Sequence, residues 1–406
     1  MATLADRKYR SEITVLLPTA MTVFVLTVVI GILNGTDIVL FDHQELLAHV
    51  HAGTLGWITL SVFASALWLF GGPDDGSPRS RSASLLSHSA AVSVVVYVIV
   101  FLTTDGWIRP LIGGVVSAIF TGFFVWVVVQ RSLGELSIPQ LGFVVALVTS
   151  VIGGLLGTAW GVIVASGGDV TPIPEDGVDA HPAMMVLGFL IPVGVAMAEW
   201  WLLPERAEHG PSPRRRAGVW QMGLFFVGAL LIMLGLLSSV EPLIILSQPF
   251  LIAALVIVVV RLWTPAREAV RSLVWAYATA SVVFILLDIV YTIVLVSIYE
   301  GDFDNAPTRL ILALDHLMFI GGLTNAIFAL LLAATLGRVS PPVDRIVFAA
   351  VNLGIVGFWL GLVVDSSALK QFATPVMGLG ILLGLAVAAV RLLEVTRGPA
   401  LADRGA

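Results

Sequence analysis

The sequence contains no cysteine and few charged residues, and both shortages exclude whole classes of protein. Without cysteine the chain forms no disulfide, iron–sulfur cluster, thiolate metal site or covalent heme attachment. Charged residues make up 12% of the 406 residues, whereas hydrophobic residues make up 58%. A soluble domain carries about 25% charged residues. Because a soluble core cannot bury this much apolar surface, the sequence predicts an integral membrane protein.

Twelve apolar runs are long enough to cross a bilayer as helices, since a span needs about 20 apolar residues. They lie at roughly 13–34, 46–71, 85–104, 108–130, 139–165, 181–204, 217–239, 242–263, 272–298, 309–336, 344–364 and 371–393. The first run lacks an Ala-x-Ala-like end, so we expect a membrane span there and not a cleavable signal peptide. We predict an all-α fold of twelve transmembrane helices, in one polytopic membrane domain over residues 1–406.

Lysine and arginine are distributed unevenly between the two sides of these spans. One side carries only Arg109, Arg309 and Lys370. The other side carries eighteen basic residues: Arg7, Lys8, Arg10, Arg79, Arg81, Arg131, Arg206, Arg214, Arg215, Arg216, Arg261, Arg267, Arg271, Arg338, Arg345, Arg391, Arg397 and Arg404. Cytoplasmic loops are enriched in basic residues, so this split predicts that both termini are cytoplasmic.

Four of the seven histidines stand near the beginnings of spans 2, 6 and 10. Span 2 contains His49-Val-His-Ala-Gly-Thr-Leu-Gly-Trp57, and span 6 begins with His181-Pro-Ala-Met-Met-Val-Leu-Gly-Phe189. Both read H-x6-G-aromatic, and Asp315-His-Leu-Met-Phe-Ile-Gly-Gly322 of span 10 is a looser third copy. His51 precedes His181 by 130 residues, and His181 precedes His316 by 135. The spacing indicates a period of four spans, repeated three times.

These four imidazoles are predicted to lie at similar depth in the outer leaflet. Polar groups in hydrocarbon usually face a bundle interior or a functional site, and neutral imidazole is a strong ligand for heme iron, copper and zinc. His49 and His51 point about 200° apart on an α-helix, so they cannot ligate one metal but can serve two sites. The alternative is that one of them lines the interface while the other bonds within the bundle.

The segment 49–57 resembles the H-x-H-x-G-x-L-G-W segment of heme–copper oxidase catalytic subunits, most of all C-type oxidases and nitric oxide reductases. The resemblance covers the whole chain in topology and nine residues in motif. It implies three pseudo-repeated four-helix arcs, with heme ligands on spans 2 and 10 and a copper ligand on span 6. In that family the H-x-H lies on the tenth helix, and histidines around the seventh complete the copper site. Here spans 7 and 8 contain no histidine, so the chain resembles a divergent member without the full copper site.

The resemblance implies a bis-histidine pair for a low-spin heme b, formed by His51 and His316. His49 and His181 would then line a second site, for another heme b or a metal such as copper.

Two further kinds of residue are placed to contact these cofactors. Met184 or Met185, three and four residues after His181, would offer a thioether to copper or heme, with plain packing as the alternative. Arg109 and Arg309 would contact the heme propionates, with anchoring at the interface as the alternative.

The predicted function is binding of one or two hemes b, for electron transfer or for binding or reduction of nitric oxide or oxygen. Any enzyme activity would be that of an oxidoreductase. We expect a multi-pass protein of the cytoplasmic membrane of a prokaryote, in contact with lipid and a redox partner or second subunit, and not with nucleic acid. Two alternatives stay open. One is a transporter in which Asp288, Asp315 and Asn325 form a substrate or proton pathway. The other is a gas or heme sensor, or a heme-handling assembly protein.

Overall fold

A computed structural model of the chain describes residues 4–168, 174–203, 213–268, 272–299, 305–335 and 341–397. Within these ranges the chain is helical and forms no β-strand. Twelve helices in them are long and apolar enough to cross a membrane, and we number them as spans 1–12: Arg10–Gly35, His43–Gly71, Arg81–Thr103, Ile108–Gln130, Ile138–Ala165, Gly177–Leu202, Arg214–Ser238, Glu241–Glu268, Leu273–Tyr299, Thr308–Ala334, Pro341–Val363 and Ser367–Val395. The predicted spans are confirmed to within a few residues, and the chain is a multi-pass, all-α membrane protein.

The predicted orientation depends on basic residues that the structure covers only in part. Arg206, Arg271, Arg338 and Arg404 lie outside the described residues, as does the side chain of Arg397. The cytoplasmic location of both termini therefore stays a prediction.

The spans are helical because lipid offers no hydrogen-bond partner to the backbone, and a helix satisfies every amide internally. Large apolar side chains such as Val92, Val260 and Leu353 cover the outward faces and are exposed to the surroundings. Side chains also cap some helix ends. Asp42 and Glu45, for example, form a capping box at the start of span 2.

The helices group into two compact units. Unit 1 comprises Met1–Arg79 and Ala269–Ala406, with spans 1, 2 and 9 to 12, and unit 2 comprises Ser80–Glu268, with spans 3 to 8. In unit 1, span 2 packs against spans 1 and 10, span 10 also packs against spans 9 and 11, and span 12 packs against spans 11 and 1. In unit 2, span 6 packs against spans 5, 7 and 8. The three four-helix arcs stay a prediction.

Each unit has two ends, named here by their polar residues. The histidine end is where spans 2, 6 and 10 begin, and the arginine end is where they finish. At the arginine end of unit 1, Arg391 donates to both carboxylate oxygens of Asp344, at 2.7 and 3.0 Å.

At the arginine end of unit 2, Glu199 accepts hydrogen bonds from Gln221 at 2.8 Å and from Arg261 at 2.6 Å. Buried charges are retained when they are paired and hydrogen-bonded in this way.

Candidate functional site

Spans 2, 6 and 10 share a backbone feature that no other described span has. In each, a stretch of π-helix interrupts the α-helix: Ala52–Thr59, Met184–Leu190 and Leu317–Thr324. π-Helical segments are rare and occur frequently at functional sites. These three spans are also the most buried, with 78%, 78% and 89% of their most apolar stretch buried, against 50% or less in the other nine described spans.

The π-helices set a register among the four histidines. His51 and His316 each stand one residue before their π-helix, and His49 and His181 each stand three residues before theirs. The α-helix runs unbroken from His43 to His51, so His49 and His51 keep their separation of about 200°. The repeat predicted from histidine spacing therefore has a counterpart in the backbone.

The register continues beyond His51 and His316. Each is followed by a glycine five residues on and a threonine eight residues on, Thr59 and Thr324. Each threonine hydroxyl donates to the carbonyl five residues back, at 2.8 Å in both cases. The two hydroxyls thus bond to carbonyls within the widened turns of the π-helices.

The His49 ring lies against span 1 in unit 1. A methyl group on Gly31 would come within 3.3 Å of Cε1 of His49, so the glycine makes room for the ring. A hydrogen bond also joins the ring to the backbone of Thr27. Nevertheless, Nδ1 of His49 is buried and has no hydrogen-bond partner among the described residues. An unpaired buried nitrogen costs about 1–3 kcal/mol, which a bound group would offset.

His316 comes from span 10 of the same unit, within electrostatic range of His49. Its Nδ1 lies 2.8 Å from the carbonyl oxygen of Leu312. Because a carbonyl only accepts, we assign the proton to Nδ1, and Nε2 keeps its lone pair. Phe358 of span 11 packs against the ring, with 4.8 Å between ring centroids. A ring held through Nδ1 on a carbonyl is typical of histidines that ligate a metal through the other nitrogen.

His51 adopts the same tautomer, since its Nδ1 lies 2.7 Å from the carbonyl oxygen of Leu47. This bond alone is not diagnostic of a ligand. The exposed His88 of span 3 makes the equivalent bond to Ser84 at 2.8 Å. The predicted pairing of His51 with His316 stays a prediction.

His181 of unit 2 is held by the neighbouring span 5. Its Nδ1 lies 2.7 Å from the carbonyl oxygen of Gly153. A methyl group on Gly157 would lie 2.7, 2.8 and 3.1 Å from three ring atoms, so this glycine is required for the ring position. The predicted site shared by His49 and His181 joins residues of different units and stays a prediction.

A hydrogen bond joins spans 2 and 10 beyond the histidines. Trp57 donates from Nε1 to the hydroxyl of Thr324 at 3.0 Å. The indole also stacks on Phe24 of span 1, with 4.5 Å between centroids and 4° between planes. This contact holds the two histidine-bearing spans of unit 1 together.

The predicted metal ligands of span 6 have mixed surroundings. Met184 is fully buried in an apolar cluster with Ala180, Ala229 and Met233, which fits the packing interpretation. The sulfur of Met185 lies beside Gly153, the residue that also bonds His181. Within the described ranges no three histidine or acidic side chains come together as a metal-binding group. Copper binding stays a prediction.

Both predicted propionate contacts have partners within the protein. Arg109 donates to the carbonyl of Phe101 at 2.8 Å and pairs with Asp105 at 3.1 Å. Arg309 donates to the carbonyls of Leu362 and Val363, at 2.6 and 3.0 Å, at the end of span 11. These contacts fit the anchoring interpretation, and contact with a propionate stays a prediction.

Sequence reasoning missed the residues that position the histidines: Gly31, Gly157, Trp57 and Thr324. One signal was present in the sequence, because His51 and His316 share the pattern H-x4-G-x2-T.

No protein-family model matches this chain, and comparison with curated proteins finds no match. Function is therefore inferred from the histidine geometry and from the motif at 49–57.

Proposed function

We propose that this protein binds heme b within unit 1, between spans 2 and 10, as a divergent relative of heme–copper oxidase subunit I. One observation carries the proposal: His49 and His316, from two adjacent buried spans, lie within electrostatic range of each other. Each has a nitrogen suited to iron. Nδ1 of His49 has no partner among the described residues, and Nε2 of His316 keeps its lone pair because Nδ1 bonds to Leu312.

We propose His49 as the span-2 ligand opposite His316, because the two rings lie within electrostatic range of each other. His51 points about 200° away from His49 on the same helix. It is therefore left as the candidate for a second heme or for copper, as is His181 in unit 2.

The number of histidines at each iron decides the chemistry. Heme held by two histidines supplies a one-electron couple, whereas heme held by one keeps a position open for a diatomic gas. The His49–His316 pair therefore supports electron transfer. Binding of nitric oxide or oxygen would require a second heme on His51 or His181. Only reduction of the bound gas would make the protein an oxidoreductase. We place the protein in the cytoplasmic membrane of a prokaryote, with a redox partner or second subunit.

The test is a reduced-minus-oxidised optical spectrum of the purified protein, together with three histidine variants. We expect a b-type spectrum that His316→Ala and His49→Ala abolish or convert to that of five-coordinate heme, while His51→Ala leaves the low-spin signal. The matched control is His88→Ala, which removes an exposed helical histidine with the same backbone bond. Loss of the low-spin signal in His51→Ala with an unchanged His49→Ala spectrum would restore the His51–His316 pairing. Absence of heme from the purified protein would reject the proposal.

A second candidate, a secondary transporter, is favoured by Asp288, whose Oδ1 is buried and has no hydrogen-bond partner in the described ranges. Asn325, by contrast, is paired reciprocally with Asn352 at 3.1 Å in each direction. A heme-free protein that accumulates a solute in vesicles would establish the transporter.

A further inference from the structure

Two adjacent spans of unit 1 carry three polar side chains that we call the polar pocket: Asp288 and Tyr291 on span 9, and Trp359 on span 11. Asp288 and Tyr291 are one helical turn apart on span 9, so they share a face. The Tyr291 ring stands edge-on to the Trp359 ring of span 11, with 5.7 Å between centroids and 82° between planes. Asp288 exposes 2% of its surface and Tyr291 exposes 8%.

Each member of the pocket carries a buried polar atom that has no hydrogen-bond partner among the described residues. The atoms are Oδ1 of Asp288, the hydroxyl of Tyr291 and Nε1 of Trp359. Each such atom destabilises the fold when it is left unpaired. The carboxylate oxygen of Asp288 accepts hydrogen bonds, the Tyr291 hydroxyl donates and accepts them, and Nε1 of Trp359 donates. Water complements all three, and a buried water needs 2–4 polar partners of this kind.

The charges around Asp288 are few. Asp315 of span 10 lies within electrostatic range of Asp288, and Arg309 and Tyr299 lie within range of Tyr291. His316 follows Asp315 on the same span. Span 11 contributes no charged residue between Ile346 and Val363. Within the described part of the chain no cation is paired with Asp288, whereas Glu199 and Asp344 at the arginine end are each paired with an arginine.

We propose that the polar pocket is a hydrated proton-binding site, in which the Asp288 carboxylate takes up a proton from the histidine end of unit 1. The proton, carried by water as hydronium, bonds to one carboxylate oxygen, and a neutral carboxylic acid and a water molecule result. Tyr291 and Trp359 hold the water that delivers it. Span 9 finishes at the histidine end, and Asp288 lies about 16 Å before that finish. Tyr291 and Trp359 both lie closer to the histidine end than Asp288. This site does not depend on heme binding.

Infrared spectroscopy of the purified full-length protein tests the site. We expect the carbonyl-stretch band of a protonated carboxylic acid in the wild type, lost in Asp288→Asn and present at a shifted frequency in Asp288→Glu. In D2O the wild-type band should shift down within minutes, since water reaches the pocket. Tyr291→Phe and Trp359→Phe should change the frequency of the band without removing it, because each removes one hydrogen-bonding group and keeps a ring.

The matched control is Asp344→Asn, which should lose no such band because Asp344 is paired with Arg391 through both oxygens. A spectrum in which Asp288→Asn loses no band would overturn the proposal, as would a band that D2O leaves in place. Neither result bears on the heme spectrum, so failure here and failure of heme binding are distinguished.

Discussion

Two acids of unit 1 are almost equally buried, but they differ in their partners. Asp344 at the arginine end exposes 6% of its surface, and Asp288, nearer the histidine end, exposes 2%. Both oxygens of Asp344 accept from Arg391, whereas Oδ1 of Asp288 accepts from no described residue. A buried pair that is fully hydrogen-bonded has a structural explanation within the chain, and an unpaired buried carboxyl does not.

The same contrast separates His49 from the other predicted ligands. Nδ1 of His51, of His181 and of His316 lies 2.7 or 2.8 Å from a backbone carbonyl oxygen, whereas Nδ1 of His49 has no partner in the described structure, although the ring bonds to the backbone of Thr27. The unpaired atoms at His49 and at Asp288 both belong to unit 1, and unit 2 also contains a buried acid oxygen without a partner among the described residues, Oε2 of Glu199.

Breaking the arginine-end pair is expected to have the largest effect. Arg391→Met leaves Asp344 as an unpaired buried charge and should lower the free energy of unfolding by about 3–5 kcal/mol. Asp288→Asn should lower it far less, because no pairing partner is lost. The measurement is denaturant unfolding of both variants in the same detergent.

The double variant Asp344→Leu/Arg391→Met provides the control, because apolar residues of similar size often replace a buried pair at little cost. Equal losses of unfolding free energy in Arg391→Met and Asp288→Asn would show that pairing with a cation does not distinguish the two acids.

The next largest loss of stability is expected when the glycine that makes room for the His181 ring is replaced. Gly157→Ala places a methyl 2.7 to 3.1 Å from three ring atoms, so the ring must move or the helices must separate. Such overpacking costs about 1–3 kcal/mol. Gly223→Ala in span 7 is the matched control, because its methyl would meet nothing within 4 Å. Thermal unfolding of both variants measures the difference, and equal midpoints would contradict the role of Gly157.

The sequence predicted the transmembrane spans and missed the π-helices and the contacts that position the histidines. The twelve spans follow from runs of apolar residues, because hydrophobicity alone decides which segments enter lipid. The π-helices were not predicted. Their backbone hydrogen bonds join residues five apart in place of four, and this change alters neither the composition nor the length of an apolar span. Contacts such as Gly31 with His49 were missed because glycine is frequent in the spans, and the sequence does not show which glycine faces a ring. The bonds from Arg309 to the carbonyls of Leu362 and Val363 were not predicted, because backbone carbonyls carry no sequence signal, whereas its ion pair with Asp365 at 3.5 Å involves a side chain that the sequence shows.

Removing the hydrogen bond between spans 2 and 10 measures how much this contact stabilises the packing of the two spans. Trp57→Phe keeps an aromatic ring beside Phe24 and removes the donor to Thr324. We expect a loss of about 2 kcal/mol in the free energy of unfolding, because the lost hydrogen bond is added to the cavity that the smaller ring leaves at this buried position, while the Thr324 hydroxyl still bonds to Phe319. Trp263→Phe, at a largely exposed position on span 8, is the control. An unchanged stability of Trp57→Phe would mean that something other than this bond fixes the two spans.

The smallest loss of stability is expected from breaking the exposed ion pair between Asp37 and Lys370. Hydrogen bonds from Lys370 and then Gln371 hold the pKa of Asp37, in the loop after span 1, below its ordinary 3.8. The pair therefore stabilises the fold above pH 3.8, and the contribution is lost as the pH falls through the lowered value. The Asp37 side chain is 40% exposed, so solvent screening limits the contribution to below about 1 kcal/mol. Lys370→Ala should be slightly less stable than the wild type at pH 7 and equally stable at a pH well below 3.8, by thermal unfolding at low salt. A deficit that persists in acid would assign the role of Lys370 to packing at the start of span 12, and not to its charge.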